Sequence, residues 1–168
     1  MKSFLDRSFP TGYGYKTELK VVLIALVTGS LISLIRFNGA YSFERQALYM
    51  RRGTELILDE SRVIPDFVII LGDKLYILLI LAALVFILAS GIHYAYHHNG
   101  SKSIYLMRRL PGRFELHRRC LLIPLISALV FILAAALLLL VYYLIYMNST
   151  PEACLAPNQW QKLWRVYK

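Results

Sequence analysis

The chain has 168 residues, 58% of them hydrophobic, with a mean hydropathy of +0.53. Soluble globular chains hold roughly 45–50% apolar residues, so this composition argues against an ordinary water-soluble enzyme and for an integral membrane protein. The net charge of +9 is first a topology signal in such a chain, and the spans and loops account for most of it without nucleic acid.

Residues 1–18 form an N-terminal segment, expected on the cytoplasmic side, and 19–37 form the first span. The uncharged centre of that span, 21–35, covers about 22 Å at roughly 1.5 Å per residue, short of a hydrocarbon core of roughly 30 Å. Lys20 and Arg36 flank it, and their long stems reach the two interfaces, so the whole segment spans. It reads as an uncleaved helix, because Asn38 is too large for the outer small position of a signal-peptide cleavage site ending at Ala40. Ala25, Gly29 and Ser33 put a small residue at every fourth position, a stripe on which another helix packs closely.

Residues 38–74 follow as an extracytoplasmic segment. Its 43–58 portion has good helix formers and mixed charge ahead of Pro65, which predicts a short helix resting on the membrane or on a partner. Asp73 and Lys74 stand at the boundary of the second span, 75–96, and read as groups reaching for the headgroups. His93 and His97 are one turn apart, with His98 adjacent and His117 across the next loop. No Cys, Asp or Glu nearby in sequence completes a metal set, so they read as polar residues at a helix end.

The loop 97–119 is the most informative segment. Ile104, Leu106, Met107 and Leu110 share one helical arc, Lys102, Arg108 and Arg109 the other. Gly100 and Ser101 supply a start, Pro111 and Gly112 a stop, which predicts an amphipathic interfacial helix. The third span is 120–147, within a stretch free of Asp, Glu, Lys, Arg and His from Cys120 to Thr150. Pro124 is expected in its first turns, where a missing donor costs little. Tyr142, Tyr143 and Tyr146 are expected as the aromatic belt at its far interface.

The tail, 148–168, places Trp160, Leu163, Trp164 and Tyr167 at i, i+3, i+4 and i+7, with Gln161, Lys162, Arg165 and Lys168 opposite. Asn158 is positioned to cap this helix. Its aromatic face fits the membrane interface; the competing arrangement packs the tail on the extracytoplasmic segment of its own chain. Orientation follows from the loops. Residues 100–119 hold Lys102, Arg108, Arg109, Arg113, Arg118 and Arg119 against Glu115, whereas acidic residues outnumber basic ones in 38–66. The positive-inside rule therefore puts the N-terminus in the cytoplasm and the C-terminus outside the cell membrane. Cys120 and Cys154 then lie on opposite sides and form no disulfide. The predicted fold is all-α: three transmembrane helices, a cytoplasmic amphipathic helix between spans two and three, and an interfacial C-terminal helix.

The order of features around the second and third spans, with Gly100-Ser101, apolar spacing through Leu106 and Leu110, Pro111, and Arg113 two residues before Glu115, resembles the corresponding region of ABC-2-type ABC transporter permeases. The resemblance implies that this short helix is a coupling helix docking on an ABC ATPase subunit through Gly100, Ser101, Leu106, Leu110, Pro111, Arg113 and Glu115. Two features depart from that family. Lys102 and neutral residues replace an acidic residue early in the segment, and three spans stand where a usual permease has six. A small subunit pairing with another membrane permease subunit, or with a second copy, fits better. No G-x-x-x-x-G-K-[ST], G-x-S-x-G or H-E-x-x-H occurs, so no enzyme and no cofactor is expected, and ATP would be bound by the partner. The rival readings are a regulatory or sensory membrane protein with an extracytoplasmic sensing segment, and a membrane scaffold.

Overall fold

The computed structural model describes residues 14–52, 55–59, 61–99 and 115–164. Helix α1, Tyr15–Gln46, leads into strands β1, Tyr49–Arg52, and β2, Glu55–Leu58, then the short α2, Phe67–Leu71. Helix α3, Tyr76–Asn99, and helix α4, Glu115–Ser149, follow. A 3-10 turn, Glu152–Cys154, and α5, Gln159–Trp164, complete the described chain. It is mostly helical, and α1, α3 and α4 are each long and apolar enough to cross a membrane, the make-up of a multi-pass membrane protein.

Two expectations need correction. Residues 43–58 are not one short helix: α1 continues to Gln46, and an antiparallel hairpin follows, pairing Tyr49 with Leu58 and Arg52 with Glu55. The fold is therefore not purely α. Helix propensity is a weak prior that tertiary packing overrides. Here Leu48 is buried, Tyr49 and Leu58 pack against the core beside it, and Met50 and Ile57 face outward. Beyond the hairpin the backbone is closed by Asp59 N–H donating to the Leu48 carbonyl at 2.9 Å. Arg62 Nη1 donates to the Ala47 carbonyl at 3.0 Å, and the Asp59 carboxylate accepts from both Ser61 N–H and Ser61 Oγ.

The second correction concerns α4. It starts at Glu115, so Pro124 is inside the helix and not in its first turn. A proline there removes the amide that would bond the carbonyl four residues earlier, that of Cys120.

The chain divides into two compact units, one of the described residues up to Gly29 with Leu78–Ala134, the other of Ser30–Ile77 with Ala135–Lys168. In the first, Gly29 lets α1 approach α3: a Cβ there would come within 2.6 Å of Leu81 Cδ1 and 3.4 Å of Leu78 Cδ2. Leu78, Phe131, Ile123 and Ala82 are buried in this unit. The second unit is centred on aromatic rings. Phe37 and Tyr142 stack at 4.2 Å with planes 7° apart, and Phe67 meets Tyr143 and Tyr146 edge-on at 5.6 and 5.5 Å.

Candidate functional site

Each unit holds a buried polar cluster. In the first unit His93, on α3, is completely buried. Its Nδ1 lies 3.0 Å from the Cys120 carbonyl oxygen and its Nε2 lies 2.9 Å from Glu18 Oε2. The sequence explains why that carbonyl is available: Pro124 has no N–H to give it, and in a membrane a backbone acceptor must find a partner within the protein. His93 supplies the partner. Since a carbonyl only accepts, Nδ1 carries a hydrogen, and a further proton must then lie between Nε2 and Oε2 for the second bond to form. The pair is an imidazolium with a carboxylate, or an imidazole with a carboxylic acid, and is neutral in both forms.

Glu18 stands in the first turn of α1, where the helix dipole favours an acidic group. Its Oε1 and the Oγ of Ser90 are buried with no hydrogen-bond partner among the described residues. His93 is thus an interior residue joining α3 to α1 and α4, and not the polar helix-end residue that sequence spacing suggests. Tyr94 Oη and His117 Nδ1 form a separate, exposed pair at 2.6 Å. Among the described residues no group of three His, Cys, Asp or Glu is placed to hold a metal.

In the second unit Ser33, fully buried, donates to the Lys74 carbonyl at 2.8 Å and lies 2.8 Å from Tyr142 Oη. With the serine hydrogen committed to the carbonyl, the tyrosine hydroxyl is the donor of the second bond. Tyr41 Oη and Thr150 Oγ1 lie 3.0 Å apart, and Tyr146 donates to the Pro65 carbonyl at 3.1 Å. Tyr142 and Tyr146 are therefore core residues and not an outward belt: both are fully buried. The reason is that each hydroxyl finds a protein partner that lets its ring turn inward. Asp73, 56% exposed at the start of the second span, bonds the half-exposed Arg36 at 2.8 Å.

The C-terminal segment is strapped to residues 59–67. Ile64 N–H donates to the Cys154 carbonyl at 3.0 Å. Gln159, 3% exposed, satisfies its whole amide. Its Oε1 accepts from Phe67 N–H at 2.8 Å, and its Nε2 donates to Asp66 Oδ1 and the Ala156 carbonyl. Lys162 Nζ reaches Asp66 Oδ1 at 2.7 Å. The competing arrangement of the tail, packed on its own chain, is the one found at Gln159 and Lys162. Asn158 has a φ of 57°, a left-handed conformation suited to a tight bend and unlike the extended backbone of an ordinary N-cap. Both cysteines are free and buried.

The Lys162 ammonium, followed by the Gln159 amide, holds the Asp66 carboxyl below the usual aspartate range. A depressed carboxyl stabilises the folded arrangement above its unfolded pKa, and that contribution disappears as pH falls through the folded one. The strap is accordingly complete above about pH 5 and weakens below about pH 4. Limited proteolysis between pH 7 and pH 3 should show the tail becoming cleavable only at the acid end, with Asp66→Asn releasing it at pH 7. Equal protection of variant and parent at pH 7 would dismiss the ion pair as the strap.

Of the residues singled out in the sequence, Gly29 lies against Leu78 and Leu81, Ser33 joins the cluster with Tyr142, and Ala25 is half-buried on α1. Glu115 is the first residue of α4, whereas Gly100, Ser101, Leu106, Leu110, Pro111 and Arg113 lie outside the described residues. Trp160, Leu163 and Trp164 belong to α5, and Tyr167 lies outside the described residues. The Glu18–His93 pair escaped sequence reasoning, although Pro124 carried a hint: its missing amide obliges the Cys120 carbonyl to find another donor. Comparison with protein-family models, curated proteins and solved structures finds no match to this chain.

Proposed function

We propose that this chain is a small, non-catalytic membrane subunit of an ABC-type export system, linking a partner ATPase to a partner permease subunit or to a second copy of itself. The observation that carries the reading is the 97–119 connection: a basic, amphipathic segment with the Gly-Ser start and Leu-Pro stop, joining two helices able to span a membrane. Only 11% of the most apolar window of α1 is buried by protein, which leaves a broad face for lipid or a second membrane subunit. In this reading the segment from Lys102 to Leu110 lies in the cytoplasm and passes ATPase closure to the spans. The substrate path forms between this chain and its membrane partner, and the aromatic residues of α5 meet the outer interface of the cell membrane.

Topology is tested first. A cysteine at Ser103 should react only with reagent on the cytoplasmic side, and one at Thr54 only from outside; reaction of both from one side would sink the orientation. Coupling is tested by changing Leu106 and Leu110 to Glu together. Copurification with an ATPase should be lost while membrane insertion persists, because only the docking face is altered. Undiminished copurification would make the segment a lipid-facing helix.

A second reading is favoured by the strap on residues 59–67: a regulatory or sensory protein whose ordered hairpin-and-tail module detects an extracytoplasmic signal. Purification of the native chain in mild detergent separates the two, since an ATPase and a second permease accompany the first, and a kinase or regulator the second.

A further inference from the structure

Glu18, His93 and the Cys120 carbonyl come from three different helices, and their chemistry defines the number of protons the cluster tolerates. With the Nδ1 hydrogen fixed on the Cys120 carbonyl, one further proton between Nε2 and Oε2 gives a neutral, hydrogen-bonded pair. Without that proton the pair carries a negative charge and sets two lone pairs against each other. With a second one it carries a positive charge. In a low-dielectric interior either charged state costs far more than it would in water. Glu18 still has room for the second proton, because its buried Oε1 has no partner among the described residues, and Ser90, whose Oγ is likewise unpartnered, sits one turn before His93 on α3.

We propose that Glu18 and His93 form a proton-binding site within the membrane-spanning helices, whose occupancy sets how α1 is held to α3 and α4. The single-proton form ties the three helices together. Loss of the Nε2 proton to solvent hydroxide, or gain of a solvent proton at Oε1, charges the site and loosens α1. Within five positions of Glu18, His93 or Cys120 along the three helices, the other titratable or charged groups are Tyr15, Lys16 and Lys20 on α1, Tyr94, Tyr96, His97 and His98 on α3, and Glu115, His117, Arg118, Arg119 and the Cys120 thiol on α4. Four of them, Lys16, Lys20, Arg118 and Arg119, are cationic. The inference stands independently of the export-subunit reading, since it concerns the chain alone.

Cys120 is a built-in reporter, buried at 0% exposure beside the bond its carbonyl makes. The full chain in lipid nanodiscs should be alkylated with a permeant maleimide across a pH series. Modification at Cys120 is read by peptide mass spectrometry and divided by the rate in the denatured chain at the same pH, which removes the thiol's own titration. The corrected rate should pass through a minimum and rise several-fold toward at least one end of the series. In Glu18→Gln the amide donates to Nε2 of neutral His93 at any alkaline pH, so a rise at the alkaline end should vanish. A wild-type profile that is flat, or the same as that of Glu18→Gln at both ends, overturns the proposal. Nitrogen-15 NMR of His93 in the unmodified chain gives a second measurement that needs no variant. Nδ1 should stay protonated throughout, and the Nε2 resonance should shift toward whichever end the Cys120 rate rises, either by losing its own proton or because its carboxylate partner gains one; an Nε2 resonance that does not move across the series would overturn the proposal equally.

Discussion

His93→Ala should destabilise the chain by about 3 kcal/mol, read as the shift in reversible unfolding in mixed detergent micelles. The substitution deprives the Glu18 carboxyl and the Cys120 carbonyl of their donor in one step, and both are held inside the fold. Removing one member of a buried charged pair typically costs about 3–5 kcal/mol. The lower end applies because an unpaired Glu18 can take up a proton and shed its charge. His93→Gln is the informative control. Its amide can donate to one of the two acceptors, so the loss should fall to about half that of alanine. A second control acts from the far side of the bond: Pro124→Ala returns an amide to α4 and gives the Cys120 carbonyl an intrahelical donor, so His93→Ala should cost less in that background. An effect of His93→Ala below about 1 kcal/mol would place the pair among polar contacts of small net value, like many between membrane helices.

The parts of this structure that could be read from the sequence are those set by local chemistry. Three apolar blocks must leave water, and they become α1, α3 and α4 whatever the rest of the chain does. The small stripe was readable for the same reason, since Gly29 offers no side chain where Leu81 must fit. Burial of particular polar residues was not readable, because it depends on pairs distant in sequence. Glu18 and His93 are 75 residues apart, and Ser33 and Tyr142 are 109 apart. A tyrosine near the end of a span looks the same whether its hydroxyl reaches a headgroup or a serine on another helix. The hairpin was hidden differently. Its residues tolerate a helix, and the sequence signal against one was Gly53-Thr54, a Gly-x pair of the kind that joins two strands. The resemblance to transporter permeases rests on 100–115, a stretch whose significance lies in what it touches on another protein, so it is settled by binding experiments on that segment.

Tyr142→Ala should cost about 3–5 kcal/mol, the range for deleting a large buried aromatic side chain. Tyr142 is fully buried, stacks on Phe37 at 4.2 Å, and donates to Ser33, which itself holds the Lys74 carbonyl just ahead of α3. Tyr142→Phe separates the two contributions. It keeps the stacked ring and removes only the hydroxyl, and Ser33 retains its bond to Lys74, so the loss should be about 1 kcal/mol or less. The difference between the variants measures the packing of the aromatic core, and the phenylalanine value measures the hydrogen bond. If the ring instead faced lipid as a belt residue, alanine and phenylalanine would both cost little, because lipid would refill the space. If phenylalanine cost as much as alanine, the hydroxyl would be the main link between α1 and α4 in this unit. Double substitution with Ser33→Ala then decides whether that link is the Ser33 bond: the two losses should be less than additive, since each variant removes a partner of the same hydrogen bond.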